Sequence, residues 1–179
     1  MTPKERRDRL FKDRKPIIRY FDAEDWKWMY GAYRYPDPPG GQEDFEAFRN
    51  DAMQQLAQYT YAFIAEDRNQ RFKGKYGPVG IIPAMYNGWT LEPHVQWFPW
   101  ATTMNKIRSS VAFMMFARYS PDIGITEIRS LKEHADFFKG LKDYAPIYFI
   151  RKIPYGDIRG DSYLFYIRGK KQGIEQCRL

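Results

Sequence analysis

Two titratable side chains stand close together in the middle of the sequence. Glu92 and His94 are two residues apart in a segment that predicts a β-strand, so both would face the same side of a sheet. A carboxylate or an imidazole in that setting can accept a proton from an attacking amine, directly or through an ordered water. A histidine of this kind also occurs as a structural residue held by a hydrogen bond, and the sequence leaves both roles open.

A polar stretch after this strand is suited to binding an anion. Residues 101–110 are predicted as a loop that opens a helix over residues 111–118. Backbone N–H groups at a helix N-terminus attract phosphate, and an arginine side chain can add charged hydrogen bonds. No glycine occurs between Gly88 and Gly124, so side chains would crowd a phosphate that approaches this backbone. The candidate ligands are Asn105, Lys106, Arg108, Ser109 and Ser110.

Other chemistries find no support in the residue pattern. The single cysteine, Cys177, excludes an internal disulfide bond, and no spacing of Cys and His typical of a metal site occurs. No arrangement of Ser, His and Asp points to a nucleophilic triad. There is no run of about 18 apolar residues, and residues 1–15 lack the apolar core of a secretory signal. We therefore expect a chain without a transmembrane segment or a signal peptide.

Hydrophobic periodicity and turn residues predict the elements that position these candidates. Their order along the chain is β-α-α-β-β-β-α-β-α-β-β. One mixed sheet with helices on both faces is the simplest way to bury such a set. The predicted strands cover residues 17–21, 59–65, 77–86, 90–100, 125–129, 147–153 and 162–168, and the predicted helices cover residues 26–33, 45–56, 111–118 and 131–144.

The positive charge of the chain lies at its two ends. The formal net charge is +7, and residues 1–15 hold seven basic and three acidic side chains, while residues 168–179 hold four basic and one acidic. The intervening residues balance to zero. We therefore expect a folded domain over residues 16–168 between a basic N-terminal arm, residues 1–15, and a basic C-terminal tail, residues 169–179. Such ends contact an acidic partner or simply aid solubility, and both interpretations stay open.

Two tryptophans near the start of the domain suggest a contact surface. Trp26 and Trp28 are two residues apart on a predicted helix and so cannot both face the core. We expect one of them to be exposed and to anchor an interface. The full set of interface candidates is Arg6, Arg7, Arg9, Trp26, Trp28, Lys170 and Lys171.

The order of elements resembles the GNAT acetyltransferase superfamily over nearly all of residues 16–168. The resemblance implies an α/β (α+β) fold with a single mixed, mostly antiparallel sheet and helices on both faces. In that family a loop with the pattern Arg/Gln-x-x-Gly-x-Gly/Ala holds the pyrophosphate of acetyl-CoA on its backbone amides. The best register here places Asn105 at the first position, Arg108 at the first glycine and Ser110 at the last. Family enzymes often carry a tyrosine that protonates the leaving thiolate, and Phe138 stands at that position.

These departures from the family pattern lead to two function hypotheses. Bacteriophages encode divergent proteins of this kind, and the first hypothesis is a non-catalytic structural component of a phage particle without a cofactor. Such a protein would contact other chains of a large assembly, including copies of itself. We would expect it in the virion or the host cytoplasm and not at a membrane. Its basic ends could also contact nucleic acid. The alternative is an acetyl-CoA-dependent N-acyltransferase with a degenerate pyrophosphate loop. In that case the residue 105–110 candidates bind the cofactor, and Glu92 or His94 orients a water as base.

Overall fold

The computed structural model describes residues 1–12, 15–157 and 160–169. Within these residues the helices are α1 (Pro3–Phe11), α2 (Asp25–Tyr33), α3 (Gln42–Leu56), α4 (Thr103–Tyr119) and α5 (Lys132–Leu141), with one 3-10 turn at Gln70–Phe72. The strands are β1 (Ile17–Tyr20), β2 (Tyr61–Arg68), β3 (Tyr76–Tyr86), β4 (Thr90–Pro93), β5 (Gln96–Trp97), β6 (Ile125–Leu131), β7 (Tyr148–Asp157) and β8 (Gly160–Arg168).

The strands form one sheet in the order β1-β2-β3-β4-β6-β8-β7, and β5 pairs with β3. All pairs are antiparallel except β4 with β6, which is parallel. A parallel pair needs a crossover connection, and α4 provides it. The prediction of a single mixed, mostly antiparallel sheet is therefore confirmed.

Strands β4 and β5 are two parts of one interrupted strand. Ala84 lies opposite Pro93 and Ile81 lies opposite Gln96, so the register is the same on both sides of the interruption and no residue is inserted. The break falls opposite Pro83, which has no N–H to give to the ladder. The N–H of His94 still donates to the Pro83 carbonyl, at 2.7 Å. The predicted single strand over residues 90–100 is thus shorter and divided by this proline.

Helices cover the two faces of the sheet in different groups. Alternate residues of β2 point in opposite directions: Ile64 packs in a cluster with side chains of α2 and α3, and Phe63 packs against Phe113 of α4. Beneath the second half of α4, Ile128 of β6 and Phe165 of β8 pack with side chains of α1, α4 and α5. One face therefore carries α2 and α3, and the other carries α1, α4 and α5, as the prediction of helices on both faces requires.

The sheet opens into a gap between β4–β5 and β6. Only Thr90–Ile125 and Leu91–Thr126 pair across this boundary, at the start of both strands. Beyond these pairs β6 continues to Leu131 beside β8, and β4–β5 continues to Trp97 beside β3. The two strands therefore share a closed end and separate toward their C-terminal ends.

The predicted N-terminal arm contains helix α1, which the periodicity analysis missed. Thr2 caps it, since its hydroxyl accepts the Glu5 N–H at 3.2 Å and the Glu5 carboxylate accepts the Thr2 N–H at 2.6 Å. Thr-x-x-Glu is the sequence signature of such a cap, and Pro3 at the first helical position strengthens it. Among the described residues no helix combines the length and hydropathy needed to cross a bilayer. The domain boundaries at residues 16 and 168 stay a prediction.

Candidate active site

A cleft of about 600 Å³ occupies the gap between the separated strands. This volume is in the range of small-molecule sites, which are typically concave and mostly apolar with a few polar groups. Strand segments 93–97 and 128–131 form its two sides, and Tyr59 and Ile82 also contribute. The helical residues that line it are Lys106, Ser110, Phe113 and Met114 of α4 and His134, Phe137 and Phe138 of α5.

The edges of the cleft carry backbone groups that can pair with a ligand. β5 pairs with β3 and β6 pairs with β8, so half of the N–H and C=O groups of each strand point into the gap instead. Unpaired strand edges bind extended chains that contain amides, because such chains supply the missing donors and acceptors. The cleft is therefore suited to a long, flexible ligand with amide groups.

Residues from both faces of the sheet line the cleft. Ile81 belongs to the cluster under α2 and α3, so Gln96 opposite it points to that face, and His94, two residues earlier, points the same way. On β6, Ile128 faces α4 and α5, so Arg129 points to the α2/α3 face. Lys106, Ser110 and the phenylalanines lie on the α4/α5 face. The lining therefore combines side chains from both faces of the sheet.

His94 lies at the cleft, and Glu92 does not. The His94 side chain is exposed, and its ring packs against the Tyr59 ring with centroids 5.4 Å apart and an interplanar angle of 62°. Glu92 is half-buried and points to the same face, but it stays outside the cleft lining. It follows Leu91, the last residue of β4 that pairs with β6, just as Glu127 follows the paired Thr126. Of these two candidates, His94 is thus the one placed to exchange a proton with a molecule in the cleft.

Helix α4 begins eight residues earlier than predicted. The Thr102 hydroxyl accepts the Asn105 N–H, and the Asn105 side-chain oxygen accepts the Thr102 N–H, both at 3.1 Å. This reciprocal cap starts the helix at Thr103. The prediction of a loop over residues 101–110 is therefore wrong from Thr103 onward, and the phosphate-loop candidates lie on the first turns of a helix.

A buried ion pair holds two of those candidates beneath the helix. One carboxylate oxygen of Asp67, Oδ2, accepts from Arg108 Nε and Nη2 at 2.9 and 2.7 Å and from Asn105 Nδ2 at 2.8 Å. Asp67 is fully buried, and Arg108 is 7% exposed. Their charges stabilise each other where water is excluded. Arg108 therefore faces β2 and the protein interior, so it does not crowd a ligand in the cleft.

The five candidate ligands split between the two sides of α4. Lys106 and Ser110 are four residues apart, so they share a helix face, and both line the cleft. Asn105 and Arg108 face Asp67. Ser109 is fully buried, and its hydroxyl has no hydrogen-bond partner among the described residues. The structure thus brings only Lys106 and Ser110 together with His94.

Several cleft residues escaped the sequence analysis. Tyr59 precedes β2 and carries no local signal; its role depends on its contact with His94, which lies far along the chain. His134 is exposed and lines the cleft from the first turns of α5. Phe138 lies in the lining as well and has no proton to donate. No group of three or more side chains arranged to hold a metal ion occurs in the part of the chain that the structure describes.

The interface candidates have varied surroundings. Arg6 pairs with Asp143 at 3.2 Å, and Arg7 donates to the Tyr144 carbonyl at 2.9 Å, so both tie α1 to the region after α5. Arg9 is exposed. Lys170 and Lys171 lie outside the described residues.

The expectation that one of the two tryptophans is exposed is wrong. Trp26 and Trp28 are both half-buried. Trp26 packs edge-on against Phe21 with ring centroids 4.9 Å apart, and Trp28 packs edge-on against Phe72 at 5.4 Å. Residues two apart on a helix point in different directions, and here each direction meets a phenylalanine. Their role as interface anchors stays a prediction.

A larger groove, of about 860 Å³, lies between α1, β1 and α4. Its lining includes Phe11, Ile18 and Phe116, and it contains none of the residues predicted to do chemistry. It also does not lie at the gap between β4–β5 and β6, where the unpaired backbone groups are. The cleft beside His94 is therefore the candidate site, although it is the smaller of the two.

Comparisons with known proteins relate the chain to acetyltransferases. No protein-family profile and no curated protein sequence matches it. Among solved structures, the Vibrio cholerae spermidine N-acetyltransferase in complex with CoA and spermine matches with a TM-score of 0.58 and 12% identity, over 86% of this chain and 95% of that one. A chimera of the Vibrio cholerae enzyme SpeG and hSSAT gives a TM-score of 0.60 at 10% identity, over 86% and 95%. FdhC, a nucleotide-linked sugar GNAT, gives 0.53 at 11%, over 86% of each chain.

The chain therefore has the GNAT fold, which confirms the resemblance predicted from the order of its elements. The expectation that it takes no cofactor is corrected by the same finding, because a protein with this fold was solved with CoA bound. The comparisons give no support to a structural role in a bacteriophage particle, and the acyltransferase alternative fits them better.

Proposed function

We propose that this chain is an N-acyltransferase that uses acetyl-CoA as acyl donor. The observation that carries the proposal is the gap between β4–β5 and β6, a cleft with two unpaired strand edges and a helix running beside it. The GNAT fold that the chain shares with known acetyltransferases supports the same function. Acetyl-CoA supplies an acyl group activated as a thioester.

The cleft residues fit the parts of this donor. CoA has an extended arm with two amide groups, which match the unpaired backbone groups of β5 and β6. Phe113, Met114 and Phe138 provide an apolar wall on the α4/α5 face. Lys106 lies on the second turn of α4, where its ammonium group adds a positive charge to the helix N-terminus for the phosphates. In place of the family's glycine loop, this chain would hold the phosphates with a lysine and the start of a helix.

His94 is the residue best placed to act as general base. Its imidazole is accessible from the α2/α3 face, and an imidazole nitrogen is a common proton acceptor in catalysis. It would take a proton from the amine of the acceptor, the amine nitrogen would form a bond to the acyl carbon, and the carbon–sulfur bond would break. Tyr59 packs against the imidazole and is a positioning residue. Because Phe138 has no proton to give, the departing thiolate would be protonated by water or through His94.

Calorimetric titration with acetyl-CoA tests this proposal. We expect saturable binding, and the Lys106→Glu variant should weaken it at least about tenfold, because a carboxylate replaces an ammonium near the phosphates. Lys142→Glu is the matched control: it makes the same charge reversal on an exposed side chain outside the cleft and should change the affinity by less than about twofold. Absence of binding at about 1 mM acetyl-CoA, the upper end of the usual range for a substrate, would refute the proposal.

A further inference from the structure

The titratable side chains of the cleft are mostly basic. Its described lining contains four basic side chains, and it contains no aspartate or glutamate. These side chains are those of His94, Lys106, Arg129 and His134. A site for a polyamine needs carboxylates, since like charges in a cleft repel the ligand. The lining therefore disfavours a polycation and favours a ligand with an anionic group.

Arg129 is on the side of the cleft from which the acceptor would enter. Leu164 of β8 lies opposite Arg129, while Phe165 lies opposite Ile128 in the cluster under α4 and α5, so the arginine points to the α2/α3 face. It is exposed and forms no ion pair with any described residue. Lys106 is on the other face, on α4. The charge of Arg129 is therefore not needed for the CoA phosphates that we assign to Lys106.

Two acidic side chains of β4 and β6 occur on the same face, at the closed end of the gap. Glu92 and Glu127 each follow the last paired residue of β4 and β6, outside the cleft lining, and each is two residues before a basic side chain, His94 or Arg129. From the closed end outward, β4–β5 and β6 thus carry carboxylates first and basic side chains second on this face. This arrangement of charged and basic groups is complementary to a small molecule that carries both an amine and an anionic group.

We propose that the acyl acceptor is a small amine that also bears a carboxylate or a phosphate, and that Arg129 binds this anionic group. The inference rests on the proposed acyltransferase function. A guanidinium can bind either anion through two parallel hydrogen bonds, which orients the ligand as well as attracting it. With the anion held on β6, the amine of the acceptor is directed toward His94 across the gap. Arg129 is then the residue that sets acceptor specificity.

Matched pairs of amines test this inference by release of the free CoA thiol. Tyrosine and tyramine differ only in a carboxylate, and glucosamine 6-phosphate and glucosamine differ only in a phosphate, so the pairs also show which anion is recognised. We expect kcat/KM to be at least about tenfold higher for the anionic member of one pair, mainly through KM. Spermidine should be a poorer acceptor than the anionic amine of the pair that shows this preference.

The variant Arg129→Gln should remove the preference for the anionic amine over its matched counterpart. Acetyl-CoA binding, measured by calorimetry, should stay unchanged. Arg151→Gln is the control, because Arg151 is an exposed arginine that also lies opposite Leu164, on β7 and two strands away from the gap. It should keep the preference. Equal kcat/KM values within both pairs, or turnover of spermidine in preference to all four amines, would overturn the inference while leaving the proposed function intact. If acetyl-CoA does not bind at all, both fail together.

Discussion

The two faces of helix α4 use polar residues in opposite ways. Toward β2, Asn105 and Arg108 are buried and bonded to Asp67, so their hydrogen-bonding groups are engaged within the protein. Toward the gap, Lys106 and Ser110 line a cleft beside strands whose backbone edges are unpaired. Polar residues within one short segment thus divide into a structural group and a group available to a ligand. The difference shows that the alignment of a phosphate-binding motif cannot by itself assign roles on a helix.

A substitution on the buried face of α4 should have the largest effect on stability. Replacing Arg108 with methionine leaves the Asp67 carboxylate buried and without its counter-charge, so we expect a loss of about 3–5 kcal/mol in the free energy of unfolding. Urea denaturation followed by circular dichroism measures this loss. Lys106→Met is the control on the other face of the same helix, and it should stay within about 0.5 kcal/mol of the parent.

A double variant distinguishes an unpaired charge from a packing defect. In Asp67→Leu with Arg108→Met both charges are gone, and Asn105 can still donate to the Arg68 carbonyl, 3.0 Å away. We expect this chain to be more stable than Arg108→Met alone, because no uncompensated charge remains. If Arg108→Met costs less than about 1 kcal/mol, the ion pair does not hold the helix and the division between the faces is wrong.

Among substitutions in the cleft, replacement of His94 should have the largest effect on turnover. Replacing His94 with glutamine removes the proposed base and keeps a polar side chain of similar size. We expect kcat to fall at least about 100-fold, with acetyl-CoA affinity nearly unchanged. Glu92→Gln is the comparison variant, and its effect should be much smaller because Glu92 lies outside the lining. Steady-state kinetics would contradict the assignment if Glu92→Gln were the more damaging of the two.

The fold was more predictable than the site, for a physical reason. Sheet strands and amphipathic helices repeat their apolar residues with fixed periods, so the order of the elements from residue 16 onward could be derived from local sequence. Helix α1 and the first turns of α4 were missed because their faces are polar or charged. In both places the informative signal was a capping pair, Thr2 with Glu5 and Thr102 with Asn105.

The division of the site residues could not be derived in that way. Arg108 is turned inward by Asp67, a partner 41 residues earlier in the sequence. The separation of β4–β5 from β6 is likewise a property of the sheet, since nothing in either segment alone shows that pairing stops after two residues. His94 was found from its residue type and spacing, whereas Tyr59 and Arg129 gain a role only from their neighbours across the cleft.

The cap of α4 joins the two faces and should give the smallest effect. Thr102 binds Asn105, and Asn105 also binds Asp67, so the start of the helix is fixed to the buried network. Thr102→Ala should lower the free energy of unfolding by about 1 kcal/mol, since one helical N–H loses its acceptor. Thr103→Ala makes the same change one residue later, beyond the cap, and should be neutral or slightly stabilising because alanine favours a helix. Equal stabilities of these two variants in urea would show that the cap does not define the start of α4. The cleft would then depend on the Asp67 ion pair alone for the position of Lys106.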